Sequence, residues 1–147
     1  MKTIGMGVLM IVGLLSSLSS SAKALTPEVI MSKVVEINRA QNVVLMKGST
    51  KADLDQLFSL KTEDFTYIHE KYGGTYSRDT LYGNYLKRVK NGQYTFEHNR
   101  YEIVHVLTGE NTAAIQRLQT NTEGEQALHL VVFEFDGDKV SRMVEYW

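Results

Sequence analysis

Three residues of this chain are of the types that move protons: His69, His129 and Glu145. His69 ends an alternating segment, residues 65–69, that is typical of a strand, and a neutral imidazole in a pocket can accept a proton near pH 7. His129 and Glu145 are predicted to lie opposite each other on neighbouring strands, where Cβ atoms stand about 5 Å apart. A carboxylate at that distance can orient an imidazole or stabilise its charge. We therefore take all three as candidate catalytic residues, with a structural hydrogen-bonding role as the alternative for each.

The pairing of His129 with Glu145 depends on two predicted hairpins. If Glu123-Gly124 is a two-residue turn, Leu118 lies opposite His129, and if residues 136–138 form a three-residue turn, His129 lies opposite Glu145. Both hairpins then share one face, which mixes apolar side chains with a few polar ones, as ligand pockets do. The members of this face are Gln116, Leu118, His129, Val131, Phe133, Met143, Glu145 and Trp147.

The opposite face of the same strands is too apolar to lie in water. One face must meet the helices, and we expect the other to meet a second copy of the protein, which predicts a homodimer formed through the outer sheet face. The predicted outer face carries Ile115, Arg117, Leu128, Leu130, Val132, Val140, Arg142, Val144 and Tyr146.

Three helices and a series of strands must position these residues. Thr26 is the predicted N-cap of a first helix that runs to about Lys47 and includes Gln41, Thr50 begins a second helix, and Ser77 caps a third that ends near Asn91. The period changes to two at residues 65–69, which predicts a strand, and residues 72–74 form a turn. Further strands are predicted at 94–107, 113–120, 126–135 and 140–147.

The N-terminus has the three parts of a secretory signal peptide. Lys2 is followed by an apolar run at residues 4–15, a serine-rich stretch, and the cleavage tripeptide at residues 22–24. The alternative is an uncleaved membrane anchor, but the apolar run is short for one. We expect residues 1–24 to be removed, and residues 25–147 to form one domain in the periplasm or the extracellular medium.

Composition excludes several classes of function. The chain has no cysteine, which removes disulfides, thiolate metal sites and a cysteine nucleophile. Without Lys2 and Lys23 the domain has 14 basic against 17 acidic residues, so neither nucleic acid nor an anionic membrane surface is an expected partner. The four histidines lack the spacing of a metal site, and no phosphate-binding loop is present, so no metal or cofactor is predicted.

The order helix, helix, strand, helix, then a meander of long strands, resembles a known family. Together with the turn at residues 135–140 and the aromatic strand at residues 143–147, it is similar to the nuclear transport factor 2-like superfamily, which includes SnoaL-like polyketide cyclases and ketosteroid isomerases. The resemblance covers residues 29–147. It implies an α+β fold: a cone-shaped barrel of a strongly curved, mainly antiparallel sheet wrapped around three N-terminal helices, with a cavity at the wide end.

Fold alone does not select a reaction within this superfamily. Ketosteroid isomerases use an aspartate base, and a tyrosine and a protonated aspartate as oxyanion donors. The resemblance places His69 at the base, Gln41 near the tyrosine and Val131 at the protonated aspartate, and none of the three matches. A ketosteroid isomerase reaction is therefore not expected, although His69 could take a proton and Gln41 could donate to an oxyanion.

Three functions stay open from the sequence. The first is an exported domain that binds a small, apolar or amphipathic molecule in an apolar pocket, with Gln41, Tyr67, Gln116, Met143 and Trp147 as ligand contacts. The second is a cofactor-free isomerase, cyclase or dehydratase that uses His69, or the pair of His129 and Glu145, for proton transfer. The third is a protein-interaction module whose cavity is filled by its own side chains.

Overall fold

The computed structural model describes residues 24–146. The predicted signal peptide therefore lies outside the described residues except for Ala24, and export stays a prediction. The elements are α1 (Pro27–Leu45), α2 (Lys51–Ser59), β1 (Lys61–His69), a 3-10 turn (Glu70–Tyr72), β2 (Gly74–Ser77), α3 (Arg78–Lys90), β3 (Tyr101–Gly109), β4 (Thr112–Thr120), β5 (Gln126–Asp136) and β6 (Lys139–Tyr146). In this part of the chain no helix combines the length and apolarity needed to cross a membrane.

The six strands form one sheet in the order β2-β1-β6-β5-β4-β3. Neighbours are antiparallel except β1 and β6, which run parallel. Helix α1 packs its apolar stripe on the inner face of this sheet, where Ile30, Val34 and Ile37 join a core cluster with sheet residues such as Phe133. A second cluster joins the end of α1 to α2, α3 and the segment before β3. The predicted α+β class is confirmed.

The predicted start of each helix is confirmed by its cap. Thr26 Oγ1 accepts a hydrogen bond from the Val29 amide, and Pro27 follows at the first helical position. Thr50 and Asp53 form a reciprocal capping box at α2, and Ser77 accepts from the Thr80 amide at α3. Such caps satisfy amides that have no partner within the helix, which is why short polar residues at these positions predict the boundaries well.

Three strand predictions need correction. Strand β1 begins at Lys61 rather than at residue 65, and the short strand β2 was not predicted. Strand β3 begins at Tyr101 rather than at residue 94, and Phe96 instead forms an isolated bridge with Met46. The start of β3 is held by Asn42 of α1, whose amide accepts from the Tyr101 N–H at 2.9 Å and donates to its carbonyl at 2.8 Å.

The register predicted for the hairpin of β4 and β5 is wrong by one residue. His129 lies opposite Arg117, not opposite Leu118. The cause is the loop: Asn121 Oδ1 accepts from the amides of Glu123 and Glu125 at 3.0 and 2.8 Å, while Gly124 takes the left-handed conformation at φ 84°. This loop holds an odd number of residues, whereas the predicted turn held two. A one-residue slip reverses both faces of a strand, so Arg117 lies on the inner face and Gln116 on the outer face.

For most of the hairpin of β5 and β6 the partners differ from those predicted by two residues, so the predicted faces of residues 142–146 are correct while their partners are not. Val140 is an exception: it was predicted on the outer face, but it pairs with Phe135 and is fully buried in the core. Gly137-Asp138 forms a two-residue turn, and a bulge follows between Glu134 and Phe135. As a result Glu145 lies opposite Val131, and the predicted direct pair of His129 and Glu145 is wrong.

The outer face of the sheet leaves several large apolar side chains in solvent. Leu130 and Tyr146 are register partners and are 45% and 42% exposed. Leu107 and Leu128 are exposed as well. Such a surface is typical of an interface, and the homodimer stays a prediction.

Candidate functional site

The inner face of the sheet is organised around a buried ion pair. Arg117 of β4 is fully buried, and its Nη2 donates to Oε1 of Glu145 on β6, which is itself only 3% exposed. Nη1 of the same guanidinium donates to Oε1 of Gln41 on α1 at 2.9 Å. The guanidinium carbon lies 3.7 Å from the ring centroid of Tyr101, which is a close cation–π contact.

A fourth side chain completes the hydrogen bonding of the carboxylate. The Tyr67 hydroxyl of β1 donates to Oε2 of Glu145, so each carboxylate oxygen accepts from a donor. Burial and the negative charge of Glu145 raise the pKa of Tyr67 well above its ordinary value, which keeps this hydroxyl a donor. We call Gln41, Tyr67, Arg117 and Glu145 the Arg117 network.

The network brings together four elements that are distant in the sequence. Gln41 lies on the buried side of α1, and Tyr67, Arg117 and Glu145 all lie on the inner face of the sheet. A charged pair is stable in such a dry place only if its remaining donors and acceptors are also satisfied. Gln41 and Tyr67 supply two of those bonds, whereas Arg117 Nε is buried with no hydrogen-bond partner among the described residues.

A cavity of about 300 Å³ lies against this network and is partly open to solvent. Its volume is at the lower end of the range for small-molecule sites. The wall is more polar than the apolar pocket predicted from the sequence, because tyrosines and charged side chains alternate with two leucines. The lining residues are Gln41, Leu45, Tyr67, His69, Tyr76, Leu81, Asn84, Tyr85, Arg88, Tyr94, Arg100, Tyr101 and Glu145.

Of the predicted catalytic residues, His69 and Glu145 lie together in this wall. His69 is the last residue of β1, is 8% exposed, and is the register partner of Glu145 in the parallel pair of strands. Its ring meets the ring of Tyr67 edge-on with centroids 6.0 Å apart. The imidazole can therefore meet a ligand in the cavity while the carboxylate behind it is already engaged by Arg117.

His129 is buried on the inner face but is not part of the cavity wall. It lies opposite Arg117 in the sheet. Burial lowers the pKa of this imidazole, and the neighbouring Glu145 charge opposes that effect. His129 therefore stays neutral over a wider pH range than an exposed histidine and is placed as a structural neighbour of the network.

The other predicted ligand contacts divide into three cases. Gln41 and Tyr67 line the cavity. Gln116 is half-buried on the outer face, for the register reason given above, and so does not face the cavity. Met143 is buried beside a smaller recess that also contains Lys61, and Trp147 lies outside the described residues.

Two buried charges were missed by the sequence analysis: Arg117 and Lys61. Lys61 is 4% exposed, and its Nζ lies 4.0 Å from the ring centroid of Phe65 and 5.6 Å from that of Phe58. Within residues 24–146 no carboxylate pairs with this amine. Burial, with the charges of Arg117 and Arg78, lowers the pKa of Lys61 to about 7. A period of two extended backwards from Phe65 does not identify Lys61 as buried, because the strand is irregular between Lys61 and Thr66 and Glu63 is exposed.

In the described part of the chain, no three histidine or carboxylate side chains gather closely enough to hold a metal ion.

We expect the contributions of Arg117 and Glu145 to the free energy of unfolding to be strongly coupled. Arg117→Met and Glu145→Gln should each lower the free energy of unfolding by about 3–5 kcal/mol, because each leaves an uncompensated buried group. The double variant should cost clearly less than the sum of the two, as measured by urea unfolding followed by circular dichroism. Arg142→Met is the control, since Arg142 pairs with Glu134 at 2.9 Å on the exposed face and should cost about 1 kcal/mol or less. Additive single costs would contradict the coupling.

Lys61 should make stability depend on pH. Its pKa is about 7 in the folded protein and near its ordinary value of 10.5 when unfolded, so the unfolded state binds more protons between these values. The free energy of unfolding, relative to Lys61→Met, should be flat below about pH 7 and rise above it by up to about 1.4 kcal/mol per pH unit. Denaturation of both proteins at several pH values measures this difference. The exposed Lys90→Met is the control and should follow the wild type, and a flat difference for Lys61→Met would show that the amine is solvated.

Comparison with known proteins finds structural likeness only. No protein-family model matches the sequence, and no curated protein matches it. The comparison with solved structures therefore carries the assignment of the fold.

Solved structures from several bacteria share this architecture. A SnoaL-like protein of unknown function from Burkholderia thailandensis has a TM-score of 0.60 at 17% identity, over 84% of this chain and 98% of that one. An NTF2-like protein of unknown function from Cytophaga hutchinsonii has a TM-score of 0.56 at 11% identity, over 79% and 87%. A protein with a ketosteroid isomerase-like fold from Catenulispora acidiphila, in complex with trimethylamine, has a TM-score of 0.55 at 15% identity, over 84% and 87%. With the helix order and curved sheet described above, these likenesses show that the chain has the nuclear transport factor 2-like fold.

Proposed function

We propose that this protein binds a small molecule in the cavity beside the Arg117 network. The observation that supports this most is the convergence of Gln41, His69 and Glu145, from three different elements, on one cavity of about 300 Å³. Concave sites with a few placed polar groups among apolar and aromatic side chains are typical of ligand binding. The open volume argues against a module whose cavity is filled by its own side chains.

Binding is better supported than catalysis by Glu145. Both oxygens of that carboxylate accept hydrogen bonds from buried donors, Arg117 and Tyr67. A substrate proton would have to displace one of these bonds, and breaking a buried ion pair costs several kcal/mol. Glu145 is therefore suited to holding the wall in place rather than to moving a proton.

Blocking the cavity mouth should abolish binding without unfolding the protein. Asn84 is exposed on α3 and lines the cavity, whereas Lys87 is exposed on the same helix and does not. Native mass spectrometry of the purified protein should detect a bound small molecule in the wild type and in Lys87→Trp, and about tenfold less or none in Asn84→Trp. Thermal unfolding of both variants checks that the fold is kept.

Two results would contradict ligand binding in this cavity. If Asn84→Trp and Lys87→Trp retain the same molecule to the same extent, that molecule lies elsewhere and the cavity is not its site. If the wild type carries nothing, and no compound of a fragment library perturbs amide signals of the cavity wall in nuclear magnetic resonance, the binding function is wrong.

The position of His69 favours one second candidate, a cofactor-free isomerase, cyclase or dehydratase. Its imidazole is in the cavity wall, and it could accept a proton from a bound substrate. If the co-purifying molecule is converted to an isomer or a dehydrated product, His69→Gln should reduce that turnover by about 10²-fold or more. Chromatography with mass detection measures the product, and unchanged turnover in His69→Gln would exclude this residue as the base.

A further inference from the structure

The cavity wall carries two positive charges that the Arg117 network does not use. Arg88 of α3 and Arg100, just before β3, both line it. The one carboxylate in the wall, Glu145, is already neutralised by Arg117. Across residues 24–146, no carboxylate forms an ion pair with Arg88 or Arg100. The cavity therefore presents a net positive charge to whatever enters it.

Arg100 is held in place by aromatic rings rather than by an acidic partner. Its guanidinium carbon lies 4.9 Å from the ring centroid of Phe96 and 5.5 Å from that of Tyr101. Its Nε is buried and has no hydrogen-bond partner among the described residues. Its carbonyl accepts from the Thr120 amide at 2.9 Å, which fixes the backbone as well. The ring contacts thus hold the guanidinium in the cavity wall while its positive charge has no acidic partner among the described residues.

Arg88 lies where a second contact to the same anion is possible. It is exposed on the last turn of α3 and lines the cavity together with Tyr94. Arginine binds carboxylates through two parallel N–H groups, and such charge-assisted bonds are about twice as strong as neutral ones. Two guanidinium groups at one cavity thus favour a carboxylate over a neutral or cationic group.

Resting on the binding function proposed above, we propose that the ligand is a small carboxylic acid with an apolar or aromatic body. Its carboxylate contacts Arg88 and Arg100, and its body lies among Leu45, Leu81 and Tyr85 of the same wall. This arrangement also explains why the wall is more polar than a purely apolar pocket. The transfer of an anion into the cavity costs less free energy because the positive charges that it meets there are already present and partly desolvated.

Three probes of one size separate charge from shape: benzoate, benzamide and benzylamine. In titrations of isotope-labelled protein followed by nuclear magnetic resonance, benzoate should perturb the amides of His69 and Tyr76 in the cavity wall. Its Kd should be at least about tenfold lower than that of benzamide, and benzylamine should bind most weakly. Added salt should weaken benzoate binding and leave benzamide unaffected.

Matched variants test the two arginines. Arg88→Gln with Arg100→Gln should reduce the affinity for benzoate to that for benzamide, whose own affinity should not change. Arg39→Gln is the control, because Arg39 is exposed on α1 and does not line this cavity. Since Arg100 also packs on Phe96, the single variant Arg88→Gln is included; its side chain is exposed, and it should lose benzoate affinity about threefold or more with an unchanged unfolding curve.

Each outcome decides one question. Equal affinity for benzoate and benzamide, tighter binding of benzylamine, or unchanged benzoate affinity in the double variant would overturn the carboxylate proposal while leaving a binding cavity. If none of the three probes perturbs the cavity wall, the carboxylate proposal is wrong. The binding function is wrong as well only if the purified wild type carries no bound molecule and the fragment library also leaves these amides unchanged.

Discussion

The buried charge of Arg117 is the constraint on which the rest of the structure depends. A guanidinium that is fully buried must have an anion, a set of acceptors and a surface to lie on, or the fold loses several kcal/mol. Glu145, Gln41 and the ring of Tyr101 supply these, and each comes from a different element. Helix α1 must therefore lie at a fixed position on the inner face of the sheet. Strands β4 and β6 must also keep a fixed alignment relative to each other across β5. The cavity is the space left beside this fixed arrangement.

Much of the architecture could be read from the sequence because it is set by local chemistry. Thr26, Thr50 and Ser77 cap helices through contacts within three residues, so nothing distant is needed to predict them. The alternation of β5 and of residues 142–146 in β6 also predicted the correct faces. The face of β4 was predicted wrongly because the loop was interpreted as a two-residue turn, whereas residues 121–125, an odd number, connect the strands and Asn121 accepts from two of their amides. Strand faces depend on the parity of such loops, and side-chain bonding within a loop can decide that parity.

The candidate site was predictable only in part, because some of its residues are held by partners that are distant in the sequence. Gln41, Tyr67, His69 and Glu145 line the cavity, and each lies in a helix or strand whose period indicates the direction of its side chain. Arg117 was assigned to the outer face, where charged residues usually lie. Its burial depends on Gln41, 76 residues away, and on Glu145, 28 residues away, and neither partner is visible from the local pattern. Lys61 lies among aromatic rings with no distant partner that a pattern could reveal.

The parallel pairing of β1 with β6 affects how this chain reaches its final structure. Tyr67 meets Glu145 across 78 residues of sequence, and β6 lies between β1 and β5. Until β6 has been made, β1 has no central neighbour and Arg117 has no counter-charge. Such long-range contacts slow folding, because the entropy of loop closure is lost before the contacts form. The ion pair of Arg117 and Glu145 can therefore form only after β6 has been synthesised, and a chain without β6 lacks both Glu145 and the strand that joins β1 to β5.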